Sequence, residues 1–279
     1  MKKILITGAN SYIGTSFEKY ILENYPQEYT VETVDMTNPS WKEKDFSEFD
    51  CVFHVAGIAH IKETKENAKL YYSVNRDLAV ETTEKAKNEG VKQFVFLSSM
   101  SVYGIETGII NKETVPEPKS NYGKSKLQAE EKILKMCGEN FRVAILRPPM
   151  VYGKNCKGNF QTVVKLVKKL PVFPAIKNKR SMIYIDNLCE FITLVIAKEK
   201  EGLFFPQNKE YVRTDEMAKI IAEQLNKKVF FSRMCGAVIW VFKPVGRIIK
   251  KAFGTLVYDM GEEFDYEVTD FKNSVKESV

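Results

Sequence analysis

Apolar residues along the chain fall into short unbroken runs separated by longer stretches with helical spacing. Residues 4–7 form such a run, followed by a turn and by a helical pattern over Tyr12–Asn24. Residues 30–35 read as a second strand and residues 51–56 as a third. A long helical stretch then covers residues 65–89 and stops at Gly90. Gln93–Leu97 predicts a strand, residues 122–137 a helix, and Arg142–Leu146 a further strand. Continuous apolar strands alternating with helices are the mark of a parallel sheet covered on both faces. Right-handed crossovers then give an α/β, doubly wound (Rossmann) sheet, whose ligands sit at the carboxyl ends of the strands. Beyond about residue 155 the alternation loosens. Short strands near Ile183, Phe204 and Val229 separate helices at 187–197 and 214–225. The expected organisation is therefore a nucleotide-binding domain over 1–155 and a smaller substrate-binding lobe over 156–279, interleaved with the first.

Composition narrows the class. The 279 residues are 44% hydrophobic, enough for a large buried core and unlike a disordered chain. Lys and Arg number 42 against 36 Asp and Glu, a net charge of +6, and the basic residues are scattered among acids. A nucleic-acid partner calls for a clustered basic stripe, so that class is set aside, while attraction to small anions fits. Five cysteines (Cys51, Cys137, Cys156, Cys189, Cys235) stand far apart, which reads as reduced thiols in a cytoplasmic protein. With only His54 and His60 as histidines, no metal site is expected. The chain opens on a strand rather than a signal peptide, and its longest apolar stretch, residues 236–242, is far below the ~18–20 residues of a membrane span.

Three segments carry candidate chemistry. The first, Thr7-Gly8-Ala9-Asn10-Ser11-Tyr12-Ile13-Gly14, joins the first strand to the first helix. Its glycines allow a tight turn and close approach to a pyrophosphate, and the helix N-terminus adds free N–H groups, although a plain βα connection uses such a turn too. Ser11 occupies the middle glycine position of the usual dinucleotide fingerprint; its Cβ narrows the approach, but its hydroxyl can donate to a phosphate. Asp35 closes the second strand, where a carboxylate either caps a turn or accepts from both ribose hydroxyls and repels a 2′-phosphate, favouring NAD over NADP. The second segment, Phe94-Val95-Phe96-Leu97-Ser98-Ser99, ends a strand with two hydroxyls at the ligand edge of the sheet. In the third, Tyr122-Gly123-Lys124-Ser125-Lys126, a phenol and an ammonium four residues apart share one helix face. An ammonium close by, with a positive nicotinamide ring, favours the phenolate and makes Tyr122 an acid/base for a sugar hydroxyl. Surface helices also carry this spacing by chance.

The ordered set of motifs resembles a known family. Residues 7–14, Asp35, Phe53-His54-Val55-Ala56-Gly57, Asn75, Ser98-Ser99 with Val102-Tyr103-Gly104, Tyr122 with Lys126, Leu146-Arg147-Pro148 and residues 180–186 follow one another. Together they resemble the extended short-chain dehydrogenase/reductase superfamily, and within it the NAD-dependent nucleotide-sugar epimerase/dehydratase family that includes UDP-glucose 4-epimerase. The likeness is firm over residues 1 to about 190 and fades toward residue 275. It implies NAD as cofactor and Ser99, Tyr122 and Lys126 as catalytic residues. It places Gly8, Asn10, Ser11, Tyr12, Ile13, Gly14 and Asp35 at the cofactor, with Val55, Ala56 and Gly57 in a loop passing it. Asp45 and Phe46 fall where the adenine is contacted, Asn75 supports the active-site backbone, and Pro148, Tyr122 and Lys126 lie toward the nicotinamide. Ser99, Met100, Ser101, Tyr122, Asn159 and Arg180 fall at the sugar nucleotide, with Arg180 clamping the diphosphate through its forked donors.

Departures from the family pattern bear on the reaction. Dehydratases carry Asp-Glu directly after the catalytic hydroxyl, whereas Met100 and Ser101 stand here, which disfavours 4,6-dehydration. Met150 occupies the place of an asparagine common in the UDP-galactose branch, leaving Asn155 or Asn159 to substitute. The resemblance therefore implies an epimerase acting at C4 of a nucleotide-diphosphate sugar, UDP-linked, through a transient 4-keto intermediate. The alternatives are an NAD(P)H-dependent 4-ketoreductase of a nucleotide-linked deoxyhexose and, in another class, a non-catalytic NAD-binding scaffold. Relatives pair through the two long helices, so the resemblance also implies a homodimer. Residues 236–253 mix Val238, Ile239, Trp240, Phe242, Ile248 and Ile249 with Lys243, Arg247, Lys250 and Lys251, interrupted by Pro244. That pattern suits a cover over the second lobe's core, or a helix lying on a membrane surface or against a glycosyltransferase.

Overall fold

The computed structural model describes residues 1–59, 61, 63–234, 253–259 and 264–279. His60, Cys235 and all but Phe253 of the 236–253 segment lie outside the described residues. Six strands form the central sheet: β1 (Lys2–Thr7), β2 (Tyr29–Val34), β3 (Cys51–His54), β4 (Gln93–Leu97), β6 (Arg142–Leu146) and β10 (Gly202–Phe204). Their order across the sheet is β10-β6-β4-β3-β1-β2, and every pairing is parallel.

The strands are unbroken apolar runs because both faces of the sheet are covered. Side chains alternate from face to face along each strand. Ile4, Ile6, Phe53, Val95, Ala144 and Leu146 enter one core, while Leu5, Val52, Phe94, Phe96, Val143 and Ile145 enter the other. Helices α1 (Tyr12–Asn24) and α6 (Ile185–Ala197) pack together over the first face. Helices α3 (Leu78–Asn88) and α4 (Asn121–Leu134) cover the second. The chain leaves β1 to one side for β2 and returns to the other side for β3. That switch in winding opens a crevice at the carboxyl ends of β1 and β3, where an open α/β sheet takes its ligand.

The expected stretch over 65–89 is a compound helix. A short helix α2 (Ala68–Tyr72) runs through one π turn, Ser73–Asp77, into α3. The π turn holds Asn75, which is fully buried. Past residue 155 the chain supplies β7 (Met150–Tyr152) with β9 (Met182–Tyr184), β8 (Val172–Pro174) with β11 (Phe230–Ser232), and β12 (Leu256–Tyr258) with β5 (Gly108–Ile110). Helices α5 (Asn159–Lys169), α7 (Thr214–Gln224) and α8 (Phe271–Glu277) complete this region. Helix α5 is an addition to the expected elements, although Phe160, Val163, Val164 and Val167 keep helical spacing and are all buried. The two regions share one core, because α6 packs on α1 and β10 extends the main sheet.

One glycine controls the loop after β4. Gly104 closes the 3-10 turn Met100–Tyr103 at φ +65°, and a Cβ there would fall 2.0 Å from the Glu117 carbonyl oxygen. Gly104→Ala therefore combines a left-handed penalty with a backbone clash, for a loss of about 2 kcal/mol or more. Thermal unfolding should show Tm lowered by roughly 4–8 °C; an unchanged Tm would contradict the assigned backbone geometry.

Candidate active site

Helix α4 begins at Ser120, whose hydroxyl accepts from the Gly123 N–H at 3.1 Å as an N-cap. Spacing of four then puts Tyr122, Lys126 and Glu130 on one face. That face meets the serine loop at the end of β4. Contact between the two is backbone to backbone: a Cβ on Gly123 would lie 2.6 Å from the Ser101 carbonyl oxygen and 2.9 Å from Pro118 Cβ. Only glycine permits this approach. Its result is that the Ser99 hydroxyl comes close enough to the Tyr122 phenol to lower its pKa. The Ser99 hydroxyl also accepts from the Ser101 N–H at 3.1 Å, which orients it. Met100 N–H donates to the Pro148 carbonyl at 2.9 Å, tying the same loop to the end of β6.

Lys126 lies one turn deeper. Its ammonium donates to the Leu97 carbonyl at 2.8 Å and stands 4.6 Å from the Phe96 ring centre. A Cβ on Gly57 would come within 3.3 Å of Lys126 Nζ and 2.9 Å of Asn75 Oδ1. Asn75 in turn accepts from the Ile58 N–H at 2.8 Å and donates to the Ile58 carbonyl at 3.1 Å. A buried amide so paired fixes the backbone after Gly57, and the π turn is what aims it there.

The electrostatics differ from the expectation that Lys126 favours the Tyr122 phenolate. Burial comes first for both groups: it pushes the Tyr122 phenol up, and it holds the Lys126 ammonium down to about 8, with the Glu130 carboxylate pulling the latter back up. The Ser99 hydroxyl opposes burial at the Tyr122 phenol and lowers its pKa. The lysine's proton is engaged by Leu97.

Two residues without an expected role hold the dyad from behind. The Glu130 carboxylate is 1% exposed and receives Arg147 Nε on both oxygens at 3.1 Å and the Ser98 hydroxyl. Arg147 also donates to the Tyr103 phenol at 2.9 Å. Glu130 was legible only as the next position on the Tyr122–Lys126 face. Arg147 stood in the quoted Leu146-Arg147-Pro148 motif, with nothing in the sequence to name its partner.

The β1–α1 turn fits a dinucleotide. Gly8 adopts φ +113°, and a Cβ there would lie 2.7 Å from the Ala56 N–H nitrogen. Gly14 leaves no room either, since its Cβ would meet Ser11 Oγ at 2.6 Å. The turn is therefore flush with the Val55–Ala56 segment, and Val55 packs beneath Gly14. Ser11 caps α1 by accepting from the Gly14 N–H at 3.1 Å, which leaves its own O–H to donate. Tyr12 and Ile13 contribute the first-turn N–H groups of α1, and Asn10 takes a left-handed φ of 64°. Gly8 and Ala9 N–H groups both donate to the Val34 carbonyl, so Asp35 is held beside the turn. Asp35 lies just past β2, exposed, with Oδ1 accepting from the Thr37 N–H and hydroxyl; these bonds hold its carboxyl below the usual range.

The remaining expected residues are dispersed. Asp45 is exposed with its carboxylate turned onto the Ser47 N–H, while the Phe46 ring is core and its N–H donates to Glu89 at 2.6 Å. Asn159 is exposed at the start of α5. Arg180 is buried, donates to the Gly254 carbonyl at 2.9 Å, and keeps Nε without a hydrogen-bond partner. Burial lowers its pKa, and among the described residues no carboxylate pairs with it. His54 is a core residue, bonded to the Thr7 hydroxyl at 2.7 Å and stacked near Phe94 and Phe96; burial takes its pKa down to about 3, so it is neutral.

The NAD dependent epimerase/dehydratase family model matches residues 4–205. The UDP-glucose 4-epimerase of Vibrio cholerae is 30% identical over 93% of this chain and 88% of its own length. The N-acetyl-alpha-D-glucosaminyl-diphospho-ditrans,octacis-undecaprenol 4-epimerase of Escherichia coli O157:H7 is 25% identical over 81% of this chain and 73% of its own. Among solved structures, the UDP-glucuronic acid 4-epimerase of Bacillus cereus in complex with NAD shares the fold at TM-score 0.75, with 18% identity, 99% of this chain and 97% of that chain covered.

A buried lysine with a depressed pKa makes stability depend on pH. Between pH 8 and about 10.4 the unfolded chain keeps a proton that the folded chain has released, so stability rises with pH across that window. Below pH 8 the full penalty is present, on the order of 2–4 kcal/mol. Lys126→Met removes it. Urea unfolding should show the wild type gaining stability relative to Lys126→Met from pH 7 to 10.5, and a constant difference would refute the buried ammonium.

Proposed function

The chain belongs to the NAD dependent epimerase/dehydratase family, and from that membership we propose that it is an epimerase inverting C4 of a diphosphate-linked hexose, UDP-hexose or UDP-N-acetylhexosamine first. The observation that carries this reading is the backbone approach of Gly123 to Ser101, which seats the serine loop on the start of α4 beside Tyr122, with Lys126 one turn behind at the carboxyl edge of the sheet. Met100 and Ser101 supply no carboxyl group after Ser99, which weighs against dehydration. The exposed, ionised Asp35 beside the turn suits the two free ribose hydroxyls of NAD.

When bound, NAD supplies the hydride acceptor for oxidation at C4 and the donor for its reversal. Tyr122 holds the proton of the C4 hydroxyl and returns it. Ser99, beside Tyr122, donates to the same sugar oxygen and steadies charge on the phenol. Lys126 has two donors left beyond Leu97 for the nicotinamide ribose, and its buried charge favours the phenolate once ligand excludes water from the crevice. Arg180 grips the diphosphate: its unpartnered Nε and lack of a described counter-charge leave it suited to an anion. Anchoring at the diphosphate alone lets the oxidised sugar turn and present its other face.

Tyr122→Phe should keep NAD binding and lose about 10²–10⁴-fold in turnover, the usual share of a positioned acid/base. Interconversion of UDP-glucose and UDP-galactose, and of their N-acetyl forms, should proceed without added reductant. Consumption of NADH by a 4-keto sugar in place of interconversion would replace the epimerase with a reductase.

A further inference from the structure

One surface of the second lobe has no part in this chemistry. Strands β8 and β11 pair with Val172 opposite Phe230 and Phe173 opposite Phe231. Alternation sends Phe173 into the core and turns Val172 and Phe230 outward, where Phe230 is 69% exposed. Leu170, just after α5, and Met234, just after β11, are exposed as well, Met234 by 82%. Val172 and Phe230, paired across the two strands, form an outward apolar patch, with Leu170 before β8 and Met234 after β11 flanking it along the chain.

Cations frame them. Lys168 and Lys169 end α5, Lys228 precedes β11 and Arg233 follows it. Glu223 is the single acid among the described residues lining the groove beside β11. The described chain on both sides of residues 235–252 is held at this sheet: Met234 leaves β11, and the Phe253 ring packs 5.8 Å from that of Phe173.

We propose that this β8/β11 face docks on an anionic lipid surface, Phe230, Val172 and Met234 entering the interface while Lys168, Lys169 and Lys228 meet the headgroups. Exposed large apolar groups flanked mainly by cations fit an acyl boundary beneath anionic headgroups, and each lysine near such a surface adds to the attraction. Docking of this face requires no assumption about the sugar chemistry.

The test is co-sedimentation of the full chain with phosphatidylcholine vesicles, with and without about one third phosphatidylglycerol. Binding is expected to the anionic vesicles only, and to be lost at about 0.5 M NaCl. Phe230→Ser/Met234→Ser and, separately, Lys168→Gln/Lys169→Gln/Lys228→Gln should each weaken it at least about tenfold with unchanged thermal unfolding. No binding to either vesicle would overturn the proposal, as would binding equal in both variants. So would a dimer in sedimentation velocity that Phe230→Ser/Met234→Ser dissociates without any vesicle binding, since a second copy would then cover the face.

Discussion

The active-site geometry depends on one buried carboxylate. Glu130 sits inside α4 and receives the Arg147 guanidinium from the end of β6 and the Ser98 hydroxyl from the end of β4. Three elements that approach from different directions are thereby locked to a common point. The lock reaches the second lobe too, because the Tyr258 phenol in β12 donates to the Arg147 carbonyl at 2.8 Å, and the Ser181 hydroxyl accepts from the Tyr258 N–H. A buried ion pair of this kind adds little net stability, since desolvation nearly cancels the attraction. What it secures is geometry: with either partner gone, the other is an unpaired charge in the core. Tyr122 and Lys126 are placed by that constraint as much as by their own contacts.

Around this point the backbone itself acts as the tool. Gly8 against Ala56, Gly123 against Ser101 and Gly104 against Glu117 are contacts that a single Cβ would spoil. They bring the glycine turn, the serine loop and the start of α4 close enough for one dinucleotide and one sugar to bridge them. Asn75, carried in by a π turn, then ties the backbone at Ile58 to Ser125 of α4. Burial of the dyad has an electrostatic consequence. It works against charge on both Tyr122 and Lys126, with the Ser99 hydroxyl opposing it at the phenol and the Glu130 carboxylate at the ammonium.

Most of the first 150 residues were legible. Strands β4 and β6 and helix α1 match the expected bounds because their patterns are pure: four apolar residues in a row, or a clean helical stripe after a capping serine. Helix α5 and the three-residue strands were not, since a strand that short carries no periodicity and forms only where a partner already lies alongside. Among site residues, Ser99, Tyr122 and Lys126 were visible as spaced chemistry, and Asn75 only through the family resemblance. Phe46 illustrates the opposite case. Its place in the order of motifs suggested the adenine, yet an aromatic ring with a core available is buried there, and its N–H is taken by Glu89.

The sequence alone determined the alternating sheet and helices, the glycine turn, the tyrosine and lysine on one helical turn and the carboxylate after β2. Each of these is a local pattern, set by side-chain period and residue type within a few positions. Only the tertiary structure decided that Ser99 stands by the Tyr122 phenol, that Glu130 pairs with Arg147, and that Phe230 stands in solvent. Those outcomes hinge on which distant segments share a face and exclude water, and no spacing along a chain encodes a dielectric boundary.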